Sequence, residues 1–446
     1  MVDRRVLGVS HTVALRLATL GLGGIVSVLV SRELGPAGLG EYTVLVTIAF
    51  LTMAFGHLSV EQGQQYLWPK TSERDSLAAN AAVLGFLVGS LAAGGAWLVI
   101  QLLGETVVPV ASPQLLGVAL ATVPFAMTIL LFSNLLILDN RIRRVNVAQV
   151  VAAVVELLVI VSLAVLNRLT VTTVTVVWAA TACLPVVFLA VALRVRPAHV
   201  SPRLAARTMV AGLRYHISLV FLNLLWWVDI LILNSKVSSY QVGLYSVAVT
   251  LATLTYIGTD AVSQIMLPQQ TMATLRESGL LTIRIVRANV MIGVVSVAAV
   301  LLLSLPLIPL LYGRRYEASY PSLLALAPGV LAQAIVRPAG GYLIRLDRPG
   351  LVTLATGTAM ALNIGLNLLL IPHIGIAGSA VASSVAYVLL AATYLWWVCR
   401  STGVGLAACV PRRSDAIDIT RRLSRRLAAT SGDRPADSQA APPDDT

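Results

Sequence analysis

The chain has 446 residues, of which 57% are hydrophobic and only 12% are charged, about half the charge of an ordinary soluble domain. Apolar stretches of roughly 20 residues, the length that crosses a bilayer, recur along it, so the composition excludes a water-soluble fold and points to an all-α, polytopic membrane protein. The net charge of +12 does not indicate nucleic acid, because most of the arginines lie in short loops and in the tail, where they orient membrane helices.

Twelve spans are predicted in chain order, near 12–30, 43–65, 77–103, 115–138, 146–166, 171–193, 210–234, 242–266, 288–312, 321–344, 351–371 and 376–398. The first run is long enough to span and no small-residue cleavage site follows it, so a cleavable signal is not expected. With both termini inside, the outer turns hold only Arg32, Arg168, Lys236, Arg314 and Arg315, and the inner loops and tail hold nearly all the remaining basic residues. That asymmetry predicts cytoplasmic termini. Cys183, Cys399 and Cys409 lie in or near spans at no paired spacing, so neither a disulfide framework nor a zinc site is expected.

The longest inner loop, residues 194–209, carries two prolines and four arginines and reads as a linker between two halves. Gly40 and Tyr42 fall 203 positions before Gly243 and Tyr245, Arg16 falls 198 before Arg214, and Leu138-Asp139 falls 208 before Leu346-Asp347. Similar offsets at three places suggest a repeat of six spans, and an even number of spans per repeat makes the repeats parallel, related by an axis along the membrane normal. The expected organisation is a lobe at 1–200, a second at 201–400 and a basic cytoplasmic tail at 401–446. Within the tail, 414–428 has Ile419, Leu423 and Leu427 on one side and arginine pairs on the other, the pattern of a helix lying on the inner membrane surface; from Ser431 onward the composition predicts disorder.

The most informative stretch runs Asn363 to Ala382, NIGLNLLLIPHIGIAGSAVA. Asn363 and Asn367 share a helix face; Pro372 is expected to end that helix, with Gly375 in the break. Gly378 and Ala382 then have the small-xxx-small spacing that lets membrane helices approach closely. This pattern, with Gly40-x-Tyr42, Asp229, Val242 to Ala248 and Pro268, resembles the polysaccharide (lipid-linked oligosaccharide) flippase family, Wzx-like, of the multidrug/oligosaccharidyl-lipid/polysaccharide exporter superfamily. The resemblance implies two six-helix lobes enclosing a cavity (a MATE-like fold). It also implies a substrate, a glycan carried on a polyprenyl lipid, moved from inner to outer leaflet. Polysaccharide synthesis proteins are possible partners alongside membrane lipids.

Ionisable groups inside spans are costly and are candidate functional residues. Arg16, Arg214 and Arg337 are the candidate head-group contacts, because a guanidinium fork matches phosphate oxygens; the ordinary alternative is snorkelling to the inner headgroups. A helix break is expected at Pro338 and Gly340-Gly341, next to Arg337. Glu61, Glu156, Asp229 and Asp260 are candidates for coupling or ion pairing, with Asp229 able to pair with an arginine or to carry a proton. Glu61 belongs to a polar run with His57, Gln62, Gln64 and Gln65 at the inner end of span two. Asn363 and Asn367 could meet sugar hydroxyls or bond helices together.

No catalytic constellation appears. The chain has no P-loop motif, no His/Cys metal cluster and no acid-rich loop for sugar-nucleotide chemistry, so no cofactor and no integral glycosyltransferase are expected. A drug antiporter of the same superfamily would share the fold. Many of those carry a carboxylate in the first span, where residues 12–30 hold only Arg16. A lipid II flippase would also have a basic cavity, typically with fourteen spans. A scaffold for a synthase complex is the remaining, non-transport reading.

Overall fold

The computed structural model describes residues 2–107, 109, 112–346 and 349–410; side chains at 2–13 and at scattered positions, Arg16 and Arg214 among them, are outside the description, as is the predicted tail helix. The helices are α1 (Val2–Gly56), α2 (Val60–Leu67), α3 (Arg74–Val107), α4 (Pro113–Ala121), α5 (Val123–Leu138), α6 (Ile142–Val165), α7 (Val171–Leu193), α8 (Pro202–Lys236), α9 (Ser239–Leu254), α10 (Tyr256–Met272), α11 (Leu275–Leu307), α12 (Tyr320–Arg345) and α13 (Pro349–Thr402). No strand occurs among the described residues.

Nine of the described helical stretches are long and apolar enough to cross a membrane, and α9 with α10 makes a tenth across a 40° bend. Straight helices of 55 and 54 residues, the lengths of α1 and α13, would be about 80 Å long, more than twice the hydrocarbon thickness of a bilayer. Each is interrupted by a glycine at positive φ, Gly35 (65°) and Gly375 (57°), a conformation that L side chains rarely adopt. Counted as two passes each, they bring the number of spans to the predicted twelve. Outward-facing Leu91, Leu102, Val165, Val191 and Leu302 are each 68% exposed or more, which suits hydrocarbon and not water.

The α13 hairpin is direct: the Asn363 amide reaches Ser383 Oγ at 3.2 Å, 20 residues on. Its break lies at Ile374 and Gly375, so Pro372, expected to end the helix, is inside it. Glycine sets the turn because the reversal needs a positive φ. A methyl on Gly378 would crowd the Leu370 backbone at 2.7 Å, so the two arms touch backbone to backbone, as the small-residue spacing predicts.

Two other expectations are corrected. The helix break predicted at Pro338 and Gly340-Gly341 is absent, because α12 is continuous through Pro338. Proline removes the N–H that would serve the Ala334 carbonyl, and Asn289 Nδ2 from α11 donates to that carbonyl instead, at 3.2 Å, a side-chain rescue that makes proline tolerable in membrane helices. The predicted linker at 194–209 is helical from Pro202 onward, and Asn80 of α3 clamps Ser201 with two 2.9 Å bonds, amide to carbonyl and backbone N–H to Oδ1.

One buried cluster draws only on Val60 to Leu204, a second only on Leu225 to Cys409, and a third joins both halves through α1, α4, α8 and α9. At one end, α1 meets the second half where Tyr316 Oη donates to the Ser31 carbonyl at 2.8 Å, and Arg32 donates to the Leu310 carbonyl. At the opposite end, a methyl on Gly63 would overlap the Thr208 carbonyl, and one on Gly212 the Ser59 carbonyl. Between these ends Phe50 packs on Trp227, ring centroids 4.8 Å apart.

Candidate functional site

The sequence singles out Asp229, Asn363 and Asn367 separately; the fold brings them together. Helices α8 and α9 reverse around Val237, so Asp229 and Tyr245, equally far from the turn, stand side by side. Helix α13 reverses at Gly375, which brings Ser383 to Asn363. Asp229 Oδ2 accepts from Tyr245 Oη at 2.5 Å and from Ser383 Oγ at 3.2 Å, and its Oδ1 accepts from the Ile230 N–H at 2.9 Å. Asn363 Nδ2 donates to Ser383 Oγ, and Asn367 Nδ2 donates to the Asn363 carbonyl and Oδ1 at 2.9 and 3.1 Å. Asp229 is 3% exposed, and Asn363, Asn367 and Ser383 are fully buried.

A carboxylate so deep is costly unless it is well hydrogen-bonded. No arginine or lysine lies within ion-pair reach of it among the described residues, so the arginine partner anticipated for Asp229 is replaced by hydroxyl and backbone donors. Asn367 Oδ1 is buried without a hydrogen-bond partner. All the side-chain ligand atoms facing Asp229 are oxygens or amides, a set that suits a proton or a hard cation and not a soft transition metal. No cluster of three or more His, Cys, Asp or Glu occurs among the described residues.

Arg337 sits elsewhere in the second half. Its guanidinium pairs with Asp260 of α10 at 2.5 Å, with side chains 41% and 24% exposed, and lies 5.7 Å from the Tyr256 ring centroid. A candidate head-group contact and a candidate acid therefore form one partly exposed pair. Glu61 is 3.2 Å from His57 Nδ1, and its neighbours Gln64 and Gln65 converge on Asn134 of α5 at 2.8 and 3.0 Å. Glu156, midway along α6, lies close enough to Tyr42 to interact with it electrostatically, and Tyr42 packs edge-to-face on Trp178. Arg16 and Arg214 are on helices, but their side chains lie outside the described residues.

Sequence reasoning missed Tyr245, Ser383 and His216. Counting back across each helical hairpin would have found the first two; His216 left no local signal, because its partners are 157 and 161 residues away. It also missed that Cys399 and Cys409, both buried, approach to 3.4 Å between sulfurs as free thiols.

Solved structures share this architecture. A lipid II flippase, MurJ, in an inward closed conformation superposes with a TM-score of 0.66 at 14% identity, covering 98% of this chain and 94% of that one. The fold is MATE-like. An inward-facing multidrug resistance MATE family transporter of the MOP superfamily gives 0.64 at 13% identity, covering 88% of this chain and 98% of its own. A MOP superfamily transporter from Pyrococcus furiosus gives 0.65 at 12% identity over 88% of this chain and 95% of that one. Among curated proteins, a probable low-salt glycan biosynthesis flippase, Agl15, of Haloferax volcanii is 24% identical over 165 residues, 36% of this chain. The chain spans about a third, 35%, of that relative's length. No protein-family model matches. These likenesses agree with the resemblance read from the sequence: MATE-like transporters on one side and a glycan flippase on the other.

Proposed function

We propose that this multi-pass membrane protein is a flippase that moves a lipid-linked glycan from the inner to the outer leaflet of the plasma membrane, with both termini cytoplasmic and no enzymatic step of its own. Two lobes, 1–200 and 201–400, rock about their shared interface, and the glycan head passes between them while the lipid tail stays in the bilayer. The observation that carries the reading is the pairing of a MATE-like fold with a partial likeness to a glycan biosynthesis flippase. Arg337 supports it, because an anionic head group in a membrane interior needs a fixed cation, and Arg16 and Arg214 are its proposed companions. The Asp229 network is the proposed coupling site, where a proton or small cation would bind.

Deleting the gene tests the reading. Precursor held on the inner leaflet, with less surface polymer, supports it. Normal precursor and polymer with raised drug sensitivity would favour the multidrug antiporter, and arrested cell-wall precursor would favour a lipid II flippase.

A further inference from the structure

The geometry points to a proton-operated latch on the inner side of the inter-lobe contact, formed by His57, Ser59 and Glu61 against His216. Between α1 and α2 the chain passes through Leu58 and Ser59, both left-handed at φ 48° and 52°, a costly conformation for residues other than glycine. Two bonds hold the turn: the Val60 N–H donates to the His57 carbonyl at 3.0 Å, and the Ser59 N–H donates to His57 Nδ1 at 2.9 Å. Ser59 in turn makes the contact with α8. Its carbonyl lies against Gly212, and its hydroxyl is 3.2 Å from His216 Nδ1.

The tautomers follow from these partners. His216 Nε2 faces the Phe55 carbonyl at 3.0 Å and therefore carries a hydrogen, leaving Nδ1 to accept from the Ser59 hydroxyl. His57 Nδ1 is different, because two groups compete for it. The Ser59 N–H needs its lone pair, and Glu61 Oε2, at 3.2 Å, needs a proton there. A ring nitrogen offers one in-plane position, occupied by a lone pair or by a hydrogen. The two arrangements exclude each other.

With His57 neutral, Ser59 is held, the left-handed turn is fixed and α2 stays against α8. A proton taken from cytoplasmic water onto His57 Nδ1 forms an ion pair with Glu61 and expels the Ser59 N–H. The turn then keeps the Val60 bond to the His57 carbonyl but loses the one that fixes the Ser59 N–H, so Ser59 is free to turn away from Gly212 and His216. The charged His57 also faces the His216 ring, 5.5 Å between centroids, so further protonation there adds repulsion across the interface. Returning the proton to water restores the first arrangement.

The surrounding elements bring few competing charges. Among the described side chains of α8, His216 is the titratable group facing His57, and the charged neighbours of His216 are His57 and Glu61; Arg214, two residues before it, lies outside the described side chains. From α5 come neutral groups: Asn134 donates to the Glu61 carbonyl at 3.1 Å, and Met127 lies near Gly56. From α3, Ala92 meets Gly56, and that helix's first-turn charges are engaged elsewhere, Arg74 with Asp139 and Asp75 with His199. Arg203 and Arg207 at the start of α8 are exposed.

The test uses the full-length protein in lipid nanodiscs without any glycan, with its three cysteines replaced by serine and spin labels at Lys70 and Arg207, both exposed. Distances are compared at about pH 8 and about pH 5.5, either side of the ordinary histidine pKa of about 6.5. A shift to longer distances at the lower pH is expected. In parallel, ¹⁵N-histidine spectra, simple because the chain has only 5 histidines, should show Nδ1 of His57 bearing a proton in the state with the longer distance. His57→Gln keeps an acceptor for Ser59 without titrating and should hold the short distance at both pH values. Glu61→Gln, which removes the competing carboxylate, should reduce the shift. A shift that persists in His57→Gln, or its absence in the parent protein, overturns the latch. The proposal shares with the flippase reading only the separation of the lobes: a pH-dependent distance with normal glycan export in a deletion strain would keep the latch and remove the cargo, and the reverse result would do the opposite.

Discussion

Gly40 and Gly243 meet reciprocally at the end of the molecule predicted to face outward. A methyl on Gly40 would overlap the Ser239 carbonyl oxygen, and a methyl on Gly243 would overlap the Pro36 carbonyl oxygen. Each glycine lies four residues after the residue whose carbonyl its partner would strike, and 36 stands to 239 as 40 stands to 243. The contact is thus its own image under an offset of 203, the offset expected of the sequence repeat. Gly40→Ala or Gly243→Ala should force α1 and α9 apart, at a cost of about 1–3 kcal/mol to the closed arrangement. A cysteine at buried Val44, in a background without the natural cysteines, should then react with an impermeant thiol reagent several-fold faster than in the parent. Equal rates would mean that this contact does not hold the outer side shut.

The Asp229 network yields a sharper test because its members do different work. Tyr245→Phe removes one donor from a buried carboxylate and should cost about 1–3 kcal/mol of stability, read as a lower melting temperature in detergent. Asp229→Asn keeps the shape and relieves the buried charge, so the protein should insert at normal levels and melt no lower. As the proposed coupling group, its loss should nevertheless abolish glycan export per molecule. Normal export by Asp229→Asn at normal membrane levels would return the network to a purely structural role.

Most of the fold could be read from the chain because membrane spans are written in composition. Twelve apolar runs, each wide enough for hydrocarbon, leave little freedom, and Gly375 marks its own turn. What the sequence left open depends on contacts between spans. Asn289 repairing the helix at Pro338 is set by a helix neighbour, so a local reading of Pro-Ala-Gly-Gly expects a break that the fold does not have. Asp229 reads as an acid that pairs with an arginine, bonds a neighbouring helix or carries a proton, and only the α8–α9 and α13 reversals show that Tyr245 and Ser383 are its partners. His57 and Glu61 share a helix face by spacing alone, but the significance of that pair rests on His216, which no spacing rule connects to them.

Arg337 and Asp260 separate a structural ion pair from a ligand contact. The pair is half-exposed, and such pairs contribute about 0–1 kcal/mol, so breaking it should barely change melting. Arg337→Ala should therefore insert and melt normally yet lose export, with Arg337→Lys between, because lysine keeps the charge and loses the fork. Asp260→Asn frees the guanidinium and should preserve export or strengthen head-group binding, measured with a short-chain lipid diphosphate in detergent. Equal export by Arg337→Ala and the parent would remove this arginine from the substrate path.

Orientation remains to be tested directly, and two exposed alanines make that simple. Ala37 follows the Gly35 turn of α1, and Ala198 lies in the inner connection just before α8; both side chains are exposed. The basic residues flank the Ala198 side, which by the positive-inside rule faces the cytoplasm. Single cysteines at the two positions, each in a protein without Cys183, Cys399 and Cys409, should differ in intact cells: an impermeant maleimide should label Ala37→Cys and spare Ala198→Cys, and permeabilisation should expose both. The outer-end contact of Gly40 with Gly243 lies one turn from Ala37, so this labelling also fixes which leaflet that contact closes. Labelling at Ala198→Cys alone would invert the molecule, place the His57 latch on the outer side and reverse the direction in which the closed state faces.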